Sequence, residues 1–202
     1  MSSRKLTIHD IVDLRAYERE REEFRARIIE LKKRRRVGVG PHITLLFENR
    51  DTIRFQIQEM ARAEKILTDS GIETELGVYN PLIPEPGTLS ATLFVELTSA
   101  VDLREWLPKL VGIERSIVIR LPHGAGGGPT EVRCVPDEDH AAQLTREEIT
   151  ASVHYIRFEF TPEQVEAFAA GDASLAVDHP AYAHVTTFDE ATAAELLVDL
   201  RP

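Results

Sequence analysis

Cysteine and long apolar runs are both scarce in this 202-residue chain. Its one cysteine, Cys134, can form no disulfide within the chain and cannot supply a cluster of thiolate metal ligands, so we expect a buried, unreactive thiol. The opening segment, MSSRKLTIHDIVDLR, lacks the apolar stretch of a secretory leader. No run approaches the ~20 apolar residues that a membrane helix needs. We therefore predict a cytoplasmic protein with no membrane-embedded part.

Aromatic residues are also few, at 6% of the chain, but the remaining composition is that of a globular protein. Hydrophobic residues make up 43% and charged residues 29%, so the chain can bury a sizeable core. The length fits one large domain or two small ones. We predict one domain spanning residues 1–202, in which residues 1–36 form a long helical element with a basic end.

Charge is distributed unevenly along the chain. Residues 1–36 carry 12 Lys and Arg against 7 Asp and Glu, a net charge of +5, whereas the whole chain carries a net charge of −10. The remainder is therefore strongly acidic, at −15. An acidic body repels nucleic acid over most of its surface, so nucleic acid is an unlikely partner.

The long N-terminal helix is predicted from Asp10 to Arg36, a stretch without glycine or proline. It closes with the candidate partner-binding residues Lys32, Lys33, Arg34, Arg35 and Arg36. Cations at this end also complement the helix dipole, so a solvated helix end is the first interpretation. Docking of an acidic protein is the second. For docking, replacing all five by glutamine should leave the fold intact and weaken a salt-sensitive complex.

Alternating and helical hydrophobic patterns follow each other along the rest of the chain. Strands are predicted at 43–47, 89–97, 116–121, 131–135, 152–160 and 175–177, and helices at 52–70, 101–111, 162–171 and 190–200. A regular strand–helix–strand alternation is not kept through residues 115–160. We predict an α+β fold with a mostly antiparallel or mixed sheet, a long N-terminal helix and several packing helices.

The helix predicted from Thr52 to about Ser70 has a clear apolar stripe. Ile53, Ile57 and Leu67 belong to it, and we expect all three side chains to be buried.

Histidines and a carboxylate form one candidate metal site: His154, Asp178, His179 and His184. Imidazole and carboxylate together suit iron, zinc or manganese. His154 lies on the more apolar face of its predicted strand and should point inward. The spacing matches no established ligand signature, and the alternative is structural. In that alternative Asp178 and His179 end a strand and bracket a turn, and His184 is exposed.

A second polar cluster is formed by Glu48, Arg50, Gln58, Glu59 and Arg62. Acids and arginines around a helix start could bind an anionic substrate or raise the pKa of a carboxylate for acid–base chemistry. The commoner explanation is a satisfied network that locks the first helix to the second.

Three segments carry a resemblance to a known family: the stretch LKKRRRVGVGPHITLLFENRDTIRFQIQEMARAEKI from Leu31 to Ile66, NPLIP from Asn80 to Pro84, and DHPAY from Asp178 to Tyr182. Through them the chain resembles an uncharacterised bacterial domain-of-unknown-function family over essentially its whole length. That family is often encoded near rubrerythrin and heterodisulfide-reductase-like iron–sulfur oxidoreductases. The resemblance thus implies an accessory role in redox or peroxide metabolism and carries no catalytic residues.

Two functions remain open from the sequence, and no motif specifies a reaction. The first is a cytoplasmic accessory protein that binds a redox partner, such as an iron–sulfur oxidoreductase or a rubrerythrin-like protein. The alternative is a metal-dependent enzyme that uses the histidine and carboxylate residues.

Overall fold

The computed structural model of the protein describes residues 4–122, 128–137 and 149–201. The helices are α1 (Leu14–Arg35), α2 (Arg50–Glu64), α3 (Asp69–Tyr79), α4 (Ala100–Lys109), α5 (Pro162–Ala169) and α6 (Glu190–Leu200). The strands are β1 (Arg36–Val39), β2 (Ile43–Glu48), β3 (Thr88–Val95), β4 (Ile117–Leu121), β5 (Thr130–Arg133), β6 (Val135–Pro136), β7 (Val153–Glu159), β8 (Ser174–His179) and β9 (Tyr182–Thr187). Short 3-10 turns lie at Ile8–Asp10, Asn80–Leu82 and Ile113–Arg115. The predicted α+β class is confirmed.

The strands form two sheets, one in the order β1-β2-β3-β7-β6 and the other in the order β5-β4-β8-β9. Every pairing among the described strands is antiparallel. One run of chain, Thr130–Pro136, serves both sheets, because its first half pairs with β4 and its second half with β7. Cys134 lies where the run changes sheets, and its N–H donates to the Ile117 carbonyl at 3.0 Å.

The opposite edges of the two sheets, β1 and β9, meet through side-chain hydroxyls. The Tyr182 hydroxyl donates to the Val39 carbonyl at 2.7 Å and accepts the His42 N–H at 2.9 Å. The Thr186 hydroxyl donates to the Gly38 carbonyl at 2.9 Å. The sheets are therefore linked on both sides, by the shared strand and by this β1–β9 seam.

Apolar side chains fill the space between the two sheets. Phe47, Leu89 and Phe158 enter it from the five-stranded sheet, and Ile119 and Leu175 enter it from the four-stranded sheet. All five side chains are completely buried. This is the main core, and burying each such side chain stabilises the fold by about 1.5–3 kcal/mol.

Helix α1 begins later than the sequence predicts, at Leu14 rather than Asp10. The Asp13 carboxylate caps the helix by accepting the Ala16 N–H at 2.9 Å, which fixes this start. Phe24 of α1 is buried and packs against the side of α2. Across the described residues, no helix combines the length and apolarity needed to cross a membrane.

Helix α2 buries Ile53 and Ile57, as predicted, but the prediction for Leu67 is wrong. The helix ends at Glu64 instead of continuing to about residue 70, because Lys65 takes a left-handed conformation with φ 56°. The chain then turns, and the Leu67 side chain is 80% exposed.

The sequence patterns missed two strands, β1 and β9. Gly38 and Gly40 interrupt the apolar pattern of β1, and Gly40 has φ +70° at the turn into β2. A side chain at Gly40 would collide with Tyr182 and His184, so only glycine fits there. Strand β9 is exposed along most of its length and therefore has no inward apolar alternation to detect.

Arg35 ends α1 inside the protein, with a side chain that is 0% exposed. Its guanidinium donates to the Phe47 carbonyl at 2.8 Å and to the Glu48 carbonyl at 3.1 Å. It also forms ion pairs with Glu195, at 3.0 Å, and with Asp199. Burial raises the pKa of the Asp199 carboxyl, and the Arg35 charge opposes that rise. The predicted role of Arg35 in partner binding is thus corrected, because no partner can reach it.

Replacing Arg35 by methionine should destabilise the protein by about 3–5 kcal/mol, because the two carboxylates lose their shared cation inside the protein. The matched control is Lys33→Met on the exposed face of α1, which should change stability by no more than about 0.5 kcal/mol. Urea unfolding followed by circular dichroism measures both. Equal stability of the two variants would contradict the structural role of Arg35.

Candidate partner-binding site

The structure does not bring the four predicted metal ligands together. His154 lies on β7 in the five-stranded sheet, whereas Asp178, His179 and His184 lie on β8 and β9 in the other sheet. Within residues 4–122, 128–137 and 149–201, no group of three or more His, Cys, Asp or Glu side chains is arranged to hold a metal ion. The convergence expected from the sequence is therefore not observed in the described chain.

The residues on β8 and β9 follow the structural alternative instead. His179 ends β8, and its Nε2 lies 3.0 Å from the Val111 carbonyl while its Nδ1 accepts the Ala181 N–H at 3.2 Å. Both ring nitrogens are thus occupied by protein groups. Asp178 forms an exposed ion pair with Arg133 at 3.2 Å. His184 is exposed, and its ring lies tilted beside the Tyr182 ring, with the centroids 4.4 Å apart.

His154 points inward, as predicted from the alternation of its strand, and is 2% exposed. Its Nε2 lies 2.9 Å from both the Thr150 hydroxyl and the Ala151 carbonyl. Burial lowers the pKa of the imidazole, and the Glu114 carboxylate opposes that effect. His154 is consequently a neutral, hydrogen-bonded core residue at pH 7.

Cys134 is buried, as expected. Its Sγ lies 3.2 Å from the Glu114 carbonyl, and burial raises the thiol pKa to about 11. The thiolate needed for nucleophilic chemistry is therefore disfavoured at neutral pH.

The predicted polar cluster is a set of satisfied contacts. The Glu59 carboxylate accepts the Tyr17 hydroxyl at 2.6 Å and two N–H groups of Arg21 at 2.8 Å. Hydrogen bonding by Arg21 lowers the pKa of Glu59 despite partial burial. This is the opposite of the raised pKa that acid–base catalysis at neutral pH would use.

The other members of that cluster connect α2 to the segment before it or to the sheet. Gln58 accepts the Val12 N–H at 2.9 Å, and Arg62 pairs with Glu18 at 2.5 Å. Arg50 pairs with Asp10 at 2.5 Å. The Glu48 carboxylate accepts the Thr52 hydroxyl at 2.5 Å and the Thr92 hydroxyl at 2.6 Å. The geometry favours the network that locks the first helix to the second.

The four accessible members of the basic run are held by contacts within the protein. Lys32 lies over the Phe55 ring, and the other three have acidic partners: Lys33 pairs with Glu30, Arg34 with Glu195 and Arg36 with Glu96. Such exposed pairs contribute only about 0–1 kcal/mol, so a partner can replace them. They also cancel most of the local positive charge, which weakens the attraction to an acidic partner.

An open groove of about 440 Å³, which sequence reasoning missed, lies between the chain before α1 and the α2–α3 junction. We call it the junction groove and define it by residues 8–14 on one wall, residues 66–69 and Ile72 on the other, and Ala61 of α2. Seven of its twelve lining residues are isoleucine, leucine or valine, and polar atoms form about as much of its surface as apolar atoms do. Leu67 at its edge is 80% exposed.

The early end of α2 creates this groove. The Ile66 N–H donates back to the Ala61 carbonyl at 2.9 Å, which closes the helix and turns the chain. Thr68 then caps α3 by accepting the Gly71 N–H at 3.3 Å. Thr68 as an N-cap residue followed by the acidic Asp69 was the sequence signal for a new helix start, and the apolar stripe through Leu67 concealed it.

A second depression, of about 360 Å³, lies between α5 and α6. Its floor is formed by Phe168 and Phe188, which are buried members of the main core. Among the described residues that line it, no large apolar side chain is strongly exposed, since Leu197 is half-buried. The junction groove is therefore the better candidate for a binding site.

The fold and contacts define an α+β protein of two antiparallel sheets joined by a shared strand. Residues 5–200 match the family described as "Protein of unknown function (DUF3501)", and the chain belongs to that family. It is 38% identical to the chain in "Crystal structure of novel protein of unknown function from Burkholderia pseudomallei K96243 at 1.90 A resolution". The similarity covers 97% of this chain and 99% of that chain, with a TM-score of 0.87. No curated protein matches the chain.

His154 should make stability fall as the pH is lowered. The unfolded imidazole binds a proton near pH ~6.5, whereas the folded one has a lowered pKa, so stability is lost from about pH 6.5 downward. His154→Gln should cost about 1–3 kcal/mol at pH 7 and flatten the pH dependence between about pH 7 and 5. Thermal melts at several pH values measure this. The exposed control, His9→Gln, should keep the wild-type slope.

A structural His154 also predicts no response to metal. Added zinc, manganese or ferrous iron should leave the melting temperature of the wild type unchanged. A metal-induced rise in the wild type that is absent in His154→Gln would contradict the structural role.

Proposed function

We propose that this protein is an accessory protein that acts by binding a partner protein in the junction groove. The single observation that carries the proposal is the open groove with the Leu67 side chain at its edge, 80% exposed. Large apolar side chains gathered in an open groove are a feature of protein interaction sites.

The energetics of the groove fit binding. Covering a Leu67 side chain with a partner would remove apolar surface from water and favour the complex by about 1.5–3 kcal/mol. Neighbouring Ile66 and Ile72 are half-buried and offer further apolar surface.

The expected redox or peroxide-related setting stays part of this proposal and rests on the family resemblance alone. An iron–sulfur oxidoreductase or a rubrerythrin-like protein is the partner class that the resemblance implies. The alternative, a metal-dependent enzyme, has no supporting side-chain arrangement within the described residues.

Site-specific photocrosslinking in the native host tests partner binding. A photoreactive phenylalanine analogue at position 67 should give a discrete adduct of constant mass with one partner protein. The matched control position is Val198 on α6, which is 71% exposed and lies outside the junction groove. Position 198 should not give that adduct.

The adduct should also depend on the shape of the groove. Ile72→Ser, which shortens one wall, should reduce adduct formation at position 67 while circular dichroism confirms the fold. Purified partner should bind the wild type and bind Leu67→Asp at least about tenfold more weakly, because a buried carboxylate without a partner is strongly disfavoured. Identical adduct patterns at positions 67 and 198, or unchanged binding by Leu67→Asp, would overturn the proposal.

A further inference from the structure

We infer that the occupant of the junction groove is a positively charged amphipathic helix of the partner protein, with apolar side chains in the groove and lysine or arginine on its flanks. This inference rests on the proposed function and deepens it. It is carried by the carboxylates that surround the groove.

Four exposed carboxylates lie on or next to the groove walls. Asp13 and Asp69 belong to the lining itself. Glu64 follows the groove residue Ala61 by one helical turn on α2, and Glu73 follows Asp69 by one turn on α3. We call these four residues the acidic rim.

The acidic rim has no ion-pair partner within the described protein, although Asp13 also caps α1. No salt bridge joins any of its four carboxylates to another described residue, although seventeen such pairs occur elsewhere in those residues. Positive charge close by in the sequence comes from Lys65, next to Glu64, and from Arg15, two residues after Asp13, while Arg62 is paired with Glu18. Negative charge therefore exceeds positive charge around the groove.

Repulsion between carboxylates is a further sign that negative charge near the groove lacks a positive partner. Partial burial raises the pKa of Glu75 on α3, and the Glu64 charge raises it further. A lysine or arginine brought by a partner would relieve this like-charge contact. The apolar walls and the acidic rim together thus match the two faces of a basic amphipathic helix.

Other occupants fit the same surface less well. Anionic membranes and nucleic acids would be repelled by the acidic rim. A second copy of the chain joined by a two-fold axis through this groove would place one acidic rim against the other. A neutral or acidic helix would gain the apolar contact but not the charge pairing.

Two synthetic helical peptides of about fourteen residues test the inference, since that length spans about four turns. Both carry leucine at i, i+3, i+4 and i+7, and one has lysine and the other glutamate at the flanking positions. Fluorescence anisotropy measures their binding to the full chain. The lysine peptide should bind at least about tenfold more tightly than the glutamate peptide, and its affinity should fall between about 50 and 300 mM salt.

Variants of the acidic rim test whether its carboxylates bind the lysine peptide. Glu64→Gln, Asp69→Asn and Glu73→Gln together should weaken the lysine peptide roughly five- to tenfold, since each exposed pair contributes modestly. The matched control neutralises three exposed acids elsewhere, with Glu22→Gln, Asp172→Asn and Glu190→Gln. Two of those acids line the depression between α5 and α6, so the control also excludes that site. The control should bind the lysine peptide like the wild type.

Each other outcome overturns the inference in a distinguishable way. Equal binding of both peptides, unchanged by the triple variant, would remove the charge selection and leave groove docking intact. Absence of peptide binding, with the adduct at position 67 still formed, would also contradict the basic helix and leave groove docking intact. Binding to anionic vesicles, or a dimer in sedimentation that Leu67→Asp dissociates, would identify another occupant. Loss of the position 67 adduct as well would remove the proposed function itself.

Discussion

One buried guanidinium, that of Arg35, fixes how the two ends of the chain and the sheet meet. It satisfies two carbonyls at the end of β2 and binds carboxylates of α6. A buried cation is tolerated only with such partners, so the direction of α1, the end of β2 and the position of α6 are determined together. Arg4 adds to the same arrangement by donating to the Asp199 and Arg201 carbonyls at 2.7 Å and 2.6 Å.

Local patterns predicted those features that depend on neighbouring residues. Helix α6 was predicted at its observed bounds, and the alternation of β7 placed His154 inside, because these signals arise from one element. Arg35, Leu67 and strand β9 were misjudged or missed for a different reason. Their environment is made by segments distant in sequence. From local sequence alone, Arg35 is therefore expected at the surface and Leu67 in the core, and β9 is not recognised as a strand.

The junction groove could not be predicted from the sequence because it, too, depends on segments that are distant in sequence. The two walls of the junction groove come from residues 8–14 and from residues 66–69 with Ile72, and only the fold brings them together. The polar residues of the predicted cluster instead form hydrogen bonds and ion pairs within the protein, as Glu59 does with Tyr17 and Arg21. Polar residues such as these hold the helices in place, whereas the junction groove lies between the chain before α1 and the α2–α3 junction.

The hydroxyls at the β1–β9 seam also protect the protein from its own copies. A free sheet edge presents unpaired N–H and carbonyl groups to which a strand of another molecule can add. Tyr182 and Thr186 occupy the Val39 and Gly38 carbonyls, and on the other side the end strands of the two sheets are short, with four residues in β5 and two in β6. Two hydroxyl oxygen atoms on β9 therefore reduce the number of free carbonyls on β1 that a strand of another copy could pair with, a consequence that no pattern of buried residues would have revealed.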